Sequence, residues 1–259
     1  MDRLALALPA LLFSMALGAE APVATAVRSI VTAPAGLTDS GVLEMELGAQ
    51  QVFGRDRTQG GNITAQLNLG LTHWLDLRCG WTGYTWWRNR AGDGDRGASD
   101  PYIGGQVLFA GQDKAGADIG LVYSHVLPRA DATRGLGTGM HQDTLLVSLS
   151  RSFGQWSLDF NAGFNRTRQP ETLQKVNQAL GSLAVTYAPA LGWNLTLDTY
   201  AVPKSDLGER EVGNILAASC ALSERLKVDM SLERGWSDAA PRWALNAGLV
   251  YRIGHLWGR

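Results

Sequence analysis

From residue 40 to residue 253, apolar and polar side chains alternate with a period of two, and no stretch carries a 3.6-residue repeat. The run 62–71 is the clearest: Ile63, Ala65, Leu67, Leu69 and Leu71 alternate with Asn62, Thr64, Gln66, Asn68 and Gly70. Leu43, Met45, Leu47 and Ala49 stand against Glu44, Glu46, Gly48 and Gln50 in the run before it. Comparable runs follow at 75–82, 102–109, 117–124, 144–150, 156–165, 182–187, 193–198, 211–222, 226–233 and 243–253. In 211–222 the face is ambiguous, because Ile215 and Leu216 compete for the apolar side. The pattern predicts twelve β-strands.

The connections alternate in length. Short ones fall at 72–73, 110–116, 154–155, 188–191 and 223–225, and longer ones at 54–61, 88–100, 128–141, 166–176, 203–210 and 236–241. An even number of strands with short turns at one rim and longer loops at the other is the pattern of a bacterial outer-membrane barrel. Aromatic placement separates this from a soluble sandwich, whose aromatics would concentrate mid-strand between two sheets. Trp74, Phe109, Phe153, Trp156, Tyr187, Trp193 and Tyr251 lie near the short-turn ends, and Phe53, Trp86, Trp87, Trp236 and Trp243 near the long-loop ends. Two such groups fit girdles at two membrane interfaces. The expected fold is all-β, a closed antiparallel transmembrane β-barrel of about 12 strands over 40–253, with short periplasmic turns and longer extracellular loops.

The first residues refine the compartment. Leu4 to Leu17 are apolar, and Ala16-Leu17-Gly18 and Ala19-Glu20-Ala21 are small-x-small cleavage patterns, so 1–19 reads as a signal peptide. Residues 20–39 are then expected to form a periplasmic N-terminal segment, and 254–259 a C-terminal tail that can be removed without loss of the barrel. Cys79 and Cys220 stand 141 positions apart, which is no disulfide framework. Among 259 residues, 45% are hydrophobic and 31 are Gly, which excludes a disordered chain. The net charge of −1 comes with no Lys/Arg cluster, so no nucleic-acid partner is expected.

Several short stretches carry a family resemblance. They are Pro34-Ala35-Gly36 followed by Gly41 to Gly48, the hairpin Gly70-Leu71-Thr72-His73-Trp74-Leu75-Asp76-Leu77-Arg78, Ser99-Asp100 leading to Gly104-Gly105-Gln106, and Tyr123 to Pro128. Together they resemble the outer-membrane family assigned to transport in the meta-cleavage pathway of phenol degradation, over most of 34–253. The resemblance implies a transmembrane barrel and passage of small, often aromatic, compounds. Two positions depart from the family pattern: Gln106 stands where a lysine is usual, and the loop at Pro128 lacks the usual Thr-Gly.

Catalytic and metal-binding patterns are weak. His141, Asp143 and Ser148 form the nearest hydrolase-like grouping, but seven residues of strand separate the first from the last, roughly 23 Å at 3.3 Å per residue. His73, His125, His141 and His255 are scattered, and Asp93-Gly94-Asp95 lacks most of a calcium loop. No catalytic residue, metal or cofactor is expected. Taking the polar face of each strand as inward places Glu44, Glu46, Asp76, Arg78, Asp118, Asp159, Asp198, Glu211, Lys227, Asp229, Glu233 and Arg252 in the lumen. Nine acids against three bases leave a formal −6. Tyr84, Tyr102 and Tyr200 share the inward parity.

The expected function is a passive outer-membrane channel for small molecules, aromatic or otherwise hydrophobic ones among them. Its lumen would be narrow and weakly cation-selective, with Glu44, Glu46 and Asp76 supplying most of the selectivity. The partners are outer-membrane lipid, the small-molecule solute and the barrel-assembly machinery of a Gram-negative bacterium. A structural or adhesive surface barrel and an outer-membrane lipid hydrolase are the alternatives.

Overall fold

A computed structural model describes residues 30–168, 174–203 and 209–257. The expected signal peptide at 1–19, and 20–29 after it, lie outside the described residues. The strands are β1 (Val42–Phe53), β2 (Gln59–Thr72), β3 (Leu75–Arg88), β4 (Gly94–Ala98), β5 (Pro101–Ala110), β6 (Asp118–Val126), β7 (Gln142–Phe153), β8 (Trp156–Arg168), β9 (Lys175–Tyr187), β10 (Trp193–Pro203), β11 (Arg210–Ala221), β12 (Leu226–Gly235) and β13 (Trp243–His255). A single helical turn, α1 (Gln112–Ala115), fills the connection 110–116, which the strand pattern reads as a plain turn.

All strands form one antiparallel sheet in which β1 pairs with β13 as well as β2, and β2 with β3, so the sheet closes. The closing seam spans the whole of β1, from Val42 opposite His255 to Phe53 opposite Trp243. Closure leaves the wall without an unpaired edge, which a strand-built membrane protein requires. The barrel has twelve staves because β4 and β5 share one edge of β3: β4 pairs with Tyr84–Arg88 and β5 with Leu75–Trp81. Most of the expected loop 88–100 is therefore hairpin. The turn at 89–93 is held by Asn89 N–H donating to Asp93 O (2.8 Å) and by Gly92 at φ 97°.

Alternation decides which side meets lipid. Ile103, Leu216 and Met230 point outward and are 53%, 62% and 64% exposed. Ile215, next to Leu216, is buried and faces in, which resolves the ambiguous strand. Trp74, Phe109, Phe153 and Trp156 ring the short-turn rim, and Trp81, Trp236 and Trp243 lie toward the other. A closed barrel with an apolar exterior and two aromatic rings is a transmembrane barrel of the outer-membrane type.

Two expectations change. Residues 30–39, expected outside the barrel in the periplasm, lie inside it, bonded to inward side chains from β3 to β10. The reason is polar bookkeeping: the inner wall carries carboxylates, hydroxyls and amides that need partners, and an extended backbone supplies both donors and acceptors. The tail also begins later than expected, since Gly254 and His255 belong to β13 and Leu256 N–H donates to Gly41 O (2.7 Å).

Candidate transport pathway in the barrel lumen

The lumen has two unlike halves. Across β3, β5, β7, β8 and β10 the N-terminal segment lies against the wall as a strap. Asp198 accepts from Val31 N (2.6 Å), Thr32 N (2.9 Å) and Thr32 Oγ1 (2.7 Å). Asn161 takes the Ala33 amide through Oδ1 (2.7 Å) and donates Nδ2 to the Ala33 carbonyl (2.8 Å), which also accepts from Ser148 Oγ (2.8 Å). Ala35 N–H donates to Ser150 Oγ (2.8 Å), Gln106 Nε2 donates to Pro34 O (2.8 Å), and Thr38 N–H donates to Asp76 (2.9 Å). Short, regularly spaced polar side chains on neighbouring strands thus read the backbone of the strap much as a further strand would. Gln106, the departure from the family lysine, is fully buried and also accepts from Arg78.

Among the described residues, the other half, formed by β1, β2, β12 and β13, meets the strap at the rim, where Arg252 reaches Asp39 (3.2 Å). Here Asp229 on β12 pairs with Gly248, Gly248 with Gly48, and Gly48 with Thr64. The next row toward the long loops is Ser231, Asn246, Gln50 and Asn62. The two adjacent glycines remove side chains from the wall, and a cavity of about 210 Å³ opens there.

The structure distributes the expected luminal residues as follows. Glu44, Glu46, Asp76, Asp159, Asp198, Lys227, Asp229, Glu233 and Tyr200 are inward and buried. Asp118 lies at the short-turn rim, where it accepts from the Gln112 amide (2.6 Å) and anchors α1. Glu44 is paired with Arg252 (3.1 Å), which also reaches Asp39 (3.2 Å). Glu46 accepts from Asn68 and Gln66, Asp159 from Ser150, and Glu233 from Tyr200. Asp76 lies 3.8 Å from Arg78 in addition to holding Thr38. The three carboxylates expected to dominate selectivity, Glu44, Glu46 and Asp76, are thus each engaged by neighbours.

Tyr102 is inward and donates to Gln66, as its parity predicts. Tyr84 is not inward. The pairing of β2 with β3 shifts between Ile63 and Ala65, Gly83 sits at φ 114°, and Tyr84 comes opposite the lipid-facing Ile63, 41% exposed. One irregularity in a strand inverts the parity of everything beyond it. The same inversion turns Trp87 to the lumen side, where its indole donates to Arg134 O (2.9 Å).

The loop between β6 and β7 folds over that side. Asp100 is buried and accepts from the amides of Arg129 and Ala130 (both 2.8 Å) and of Thr138 (2.9 Å). Arg134 grips Asp95 of β4, Nε to Oδ2 at 2.8 Å, which holds the Asp95 carboxyl down at about 2. Asp95 is thereby a loop anchor, and Asp93 closes the neighbouring turn with Asn89. Asp100 and Ser150 were absent from the sequence-derived set; Asp100 fell in a presumed loop, and serine is a weak signal on a polar face.

Toward the long-loop rim, Tyr123 donates to Asp143 (2.7 Å), and His125 Nδ1 lies 2.8 Å from the same oxygen. His141 Nδ1 is 3.1 Å from His125 Nε2, and the two rings stack at 5.1 Å. Sequence spacing gave no hint of this pair, which neighbouring strands bring together. Ser148 faces the lumen and bonds the strap, so His141, Asp143 and Ser148 do not form one site.

The family model described as "Putative MetA-pathway of phenol degradation" matches residues 37–253. Among solved structures, the chain resembles the NanC porin at TM-score 0.54 and 9% identity, covering 82% of this chain and 100% of that one. It also resembles the translocator domain of the autotransporter NalP from Neisseria meningitidis at TM-score 0.52 and 9% identity, covering 83% and 90%. Both likenesses concern the barrel fold. No curated protein sequence matches the chain.

Proposed function

This chain belongs to the MetA-pathway phenol-degradation family, and from that premise we propose that it is a passive outer-membrane channel for small solutes. The observation that carries the reading is the inner wall: a closed barrel lined with polar and charged side chains, one half of which is left open by paired glycines beside a cavity. The strap narrows the conduit on the other half. Small aromatic compounds are the solutes the family description suggests, yet the interior favours polar ones. Tyr102 and Tyr200 both engage their hydroxyls with wall residues, and Tyr84 faces lipid. An excess of inward carboxylates favours cations over anions. The reading is non-catalytic, because Ser148 is separated by the wall from His141 and Asp143.

Planar-bilayer recording of the purified barrel in a salt gradient tests this. Small conductance with a cation-selective reversal potential is expected. Asp198→Ala, which removes three bonds to the strap, should raise single-channel conductance about twofold or more. Silence in both proteins, or an anion-selective sign, refutes the channel as described.

A further inference from the structure

The geometry points to a binding site for a small organic ammonium ion in the cavity between β1, β2, β12 and β13, with Asp229 as its counter-ion. The inference rests on the channel reading and names the class of solute the lumen would hold. Asp229 is 6% exposed, lines the cavity, and neither of its carboxylate oxygens has a hydrogen-bond partner. Across the two glycines, Thr64 Oγ1 is buried and equally unpartnered. Two facing polar groups left unsatisfied in one cavity are an exception among buried polar atoms and call for a ligand to complete them. Glu44 and Asp76 each keep one oxygen unpartnered but have a donor on the other. Glu46, Asp159, Asp198 and Glu233 each have a donor, so Asp229 differs from these neighbours in having neither oxygen engaged.

The lining selects a donor-rich cation. Asn62 Nδ2 is directed at Gln50 Oε1 (3.4 Å), and Asn246 Nδ2 is spent on Ser231 Oγ (2.9 Å). The Asn62 and Asn246 amide N–H groups thus have wall partners, and the polar atoms left unpartnered in the lining are the Asp229 carboxylate oxygens and the Thr64 hydroxyl. A primary ammonium has three donors and no acceptor, which matches such a set. An anion or a carboxylate solute would meet like charge.

Nearby charges do not fill the vacancy. Lys227, buried two positions along β12, acts electrostatically on Asp229, Glu44 and Glu46, while Arg252 is paired with Glu44 and Asp39. One lysine is shared between Glu46 and Asp229, and this half of the lumen stays negative. Size fits as well. A dry cavity of about 150 Å³ accommodates benzene, so one of about 210 Å³ takes a solute of single-ring size or smaller. The floor is tight at Gly248: a Cβ there would stand 3.1 and 3.2 Å from the two Asp229 oxygens and 3.1 Å from the Leu47 carbonyl oxygen.

The test uses the purified full-length barrel in detergent, titrated calorimetrically with ethanolammonium chloride, with ethylene glycol as the neutral probe. Saturable binding of ethanolammonium but not of ethylene glycol is expected. Asp229→Asn should weaken it at least about tenfold, the scale of losing a charged hydrogen bond. Asp238→Asn, which removes the same charge from an exposed loop, should leave it unchanged. If Asp229→Asn fails to give a folded barrel, Thr64→Val takes its place, with a loss of severalfold. Equal binding to wild type and variant, or no binding to wild type, overturns the site. Conductance measured on the same preparation separates the two readings: conduction without ammonium binding removes the site and leaves the channel, and binding without conduction does the reverse.

Discussion

Gly83 shows how much a single residue can redirect. Its φ of 114° belongs to glycine, and a Cβ there would stand 1.7 Å from the Ile63 carbonyl oxygen. Gly83→Ala should destabilise the barrel by roughly 1–3 kcal/mol, the scale of a strained backbone position. A lowered urea midpoint for loss of the heat-resistant folded band on gels would register it, and an unchanged midpoint would contradict it. Parity reading was sufficient wherever strands ran without interruption: Glu44, Glu46, Lys227 and Asp229 all face inward as their positions predict. It failed at Tyr84 because the irregularity before it resets the count, although a glycine inside a strand pattern was the available signal. Asp229 itself was legible as luminal. That neither of its oxygens has a donor was not, because pairing depends on which side chains three other strands bring alongside.

At the scale of elements, the loop between β6 and β7 is fastened to the β3–β4 hairpin through Asp95 and Arg134. Period-two reading cannot see this hairpin, since β4 is five residues long and two of them are glycine. The Asp95 carboxyl is held at about 2, below its ordinary 3.8, first by Arg134 and then by the Arg96 amide. A depressed carboxylate contributes its stabilisation above its unfolded value and loses it as pH falls through the folded one. Docking of the loop should therefore be constant above about pH 4 and weaken between about pH 4 and pH 2. Limited pepsin digestion across that interval should show cleavage within 128–141 appearing only toward the acid end. Arg134→Ala should expose the same loop to proteinase K at neutral pH, and a variant as resistant as wild type would show that the pair does not anchor it.

For the molecule as a whole, the seam between β1 and β13 carries the fold, because it joins the ends of the described barrel and removes both free edges. Truncation after His255 should leave an assembled barrel, since it loses the Leu256 bond to Gly41 at a cost of about 1 kcal/mol. Removing 243–259 deletes the whole of β13 and should leave no protease-resistant barrel in the membrane; a folded product would defeat the argument. The overall architecture was readable from alternation, loop lengths and aromatic positions. The strap was not, because 30–39 carries no alternation of its own and takes its conformation from the wall.

That strap has a kinetic meaning. It is joined directly to β1, so the wall of the lumen meets it as a tethered ligand whose local concentration is set by a tether of a few residues, in the millimolar range for short flexible linkers. A free solute at micromolar concentration competes poorly against a partner that never leaves. Exchange of the strap with passing molecules is then an unfavourable route, and in the proposed channel solutes would move alongside it, through the glycine-floored half, where the protein has left its own side chains out.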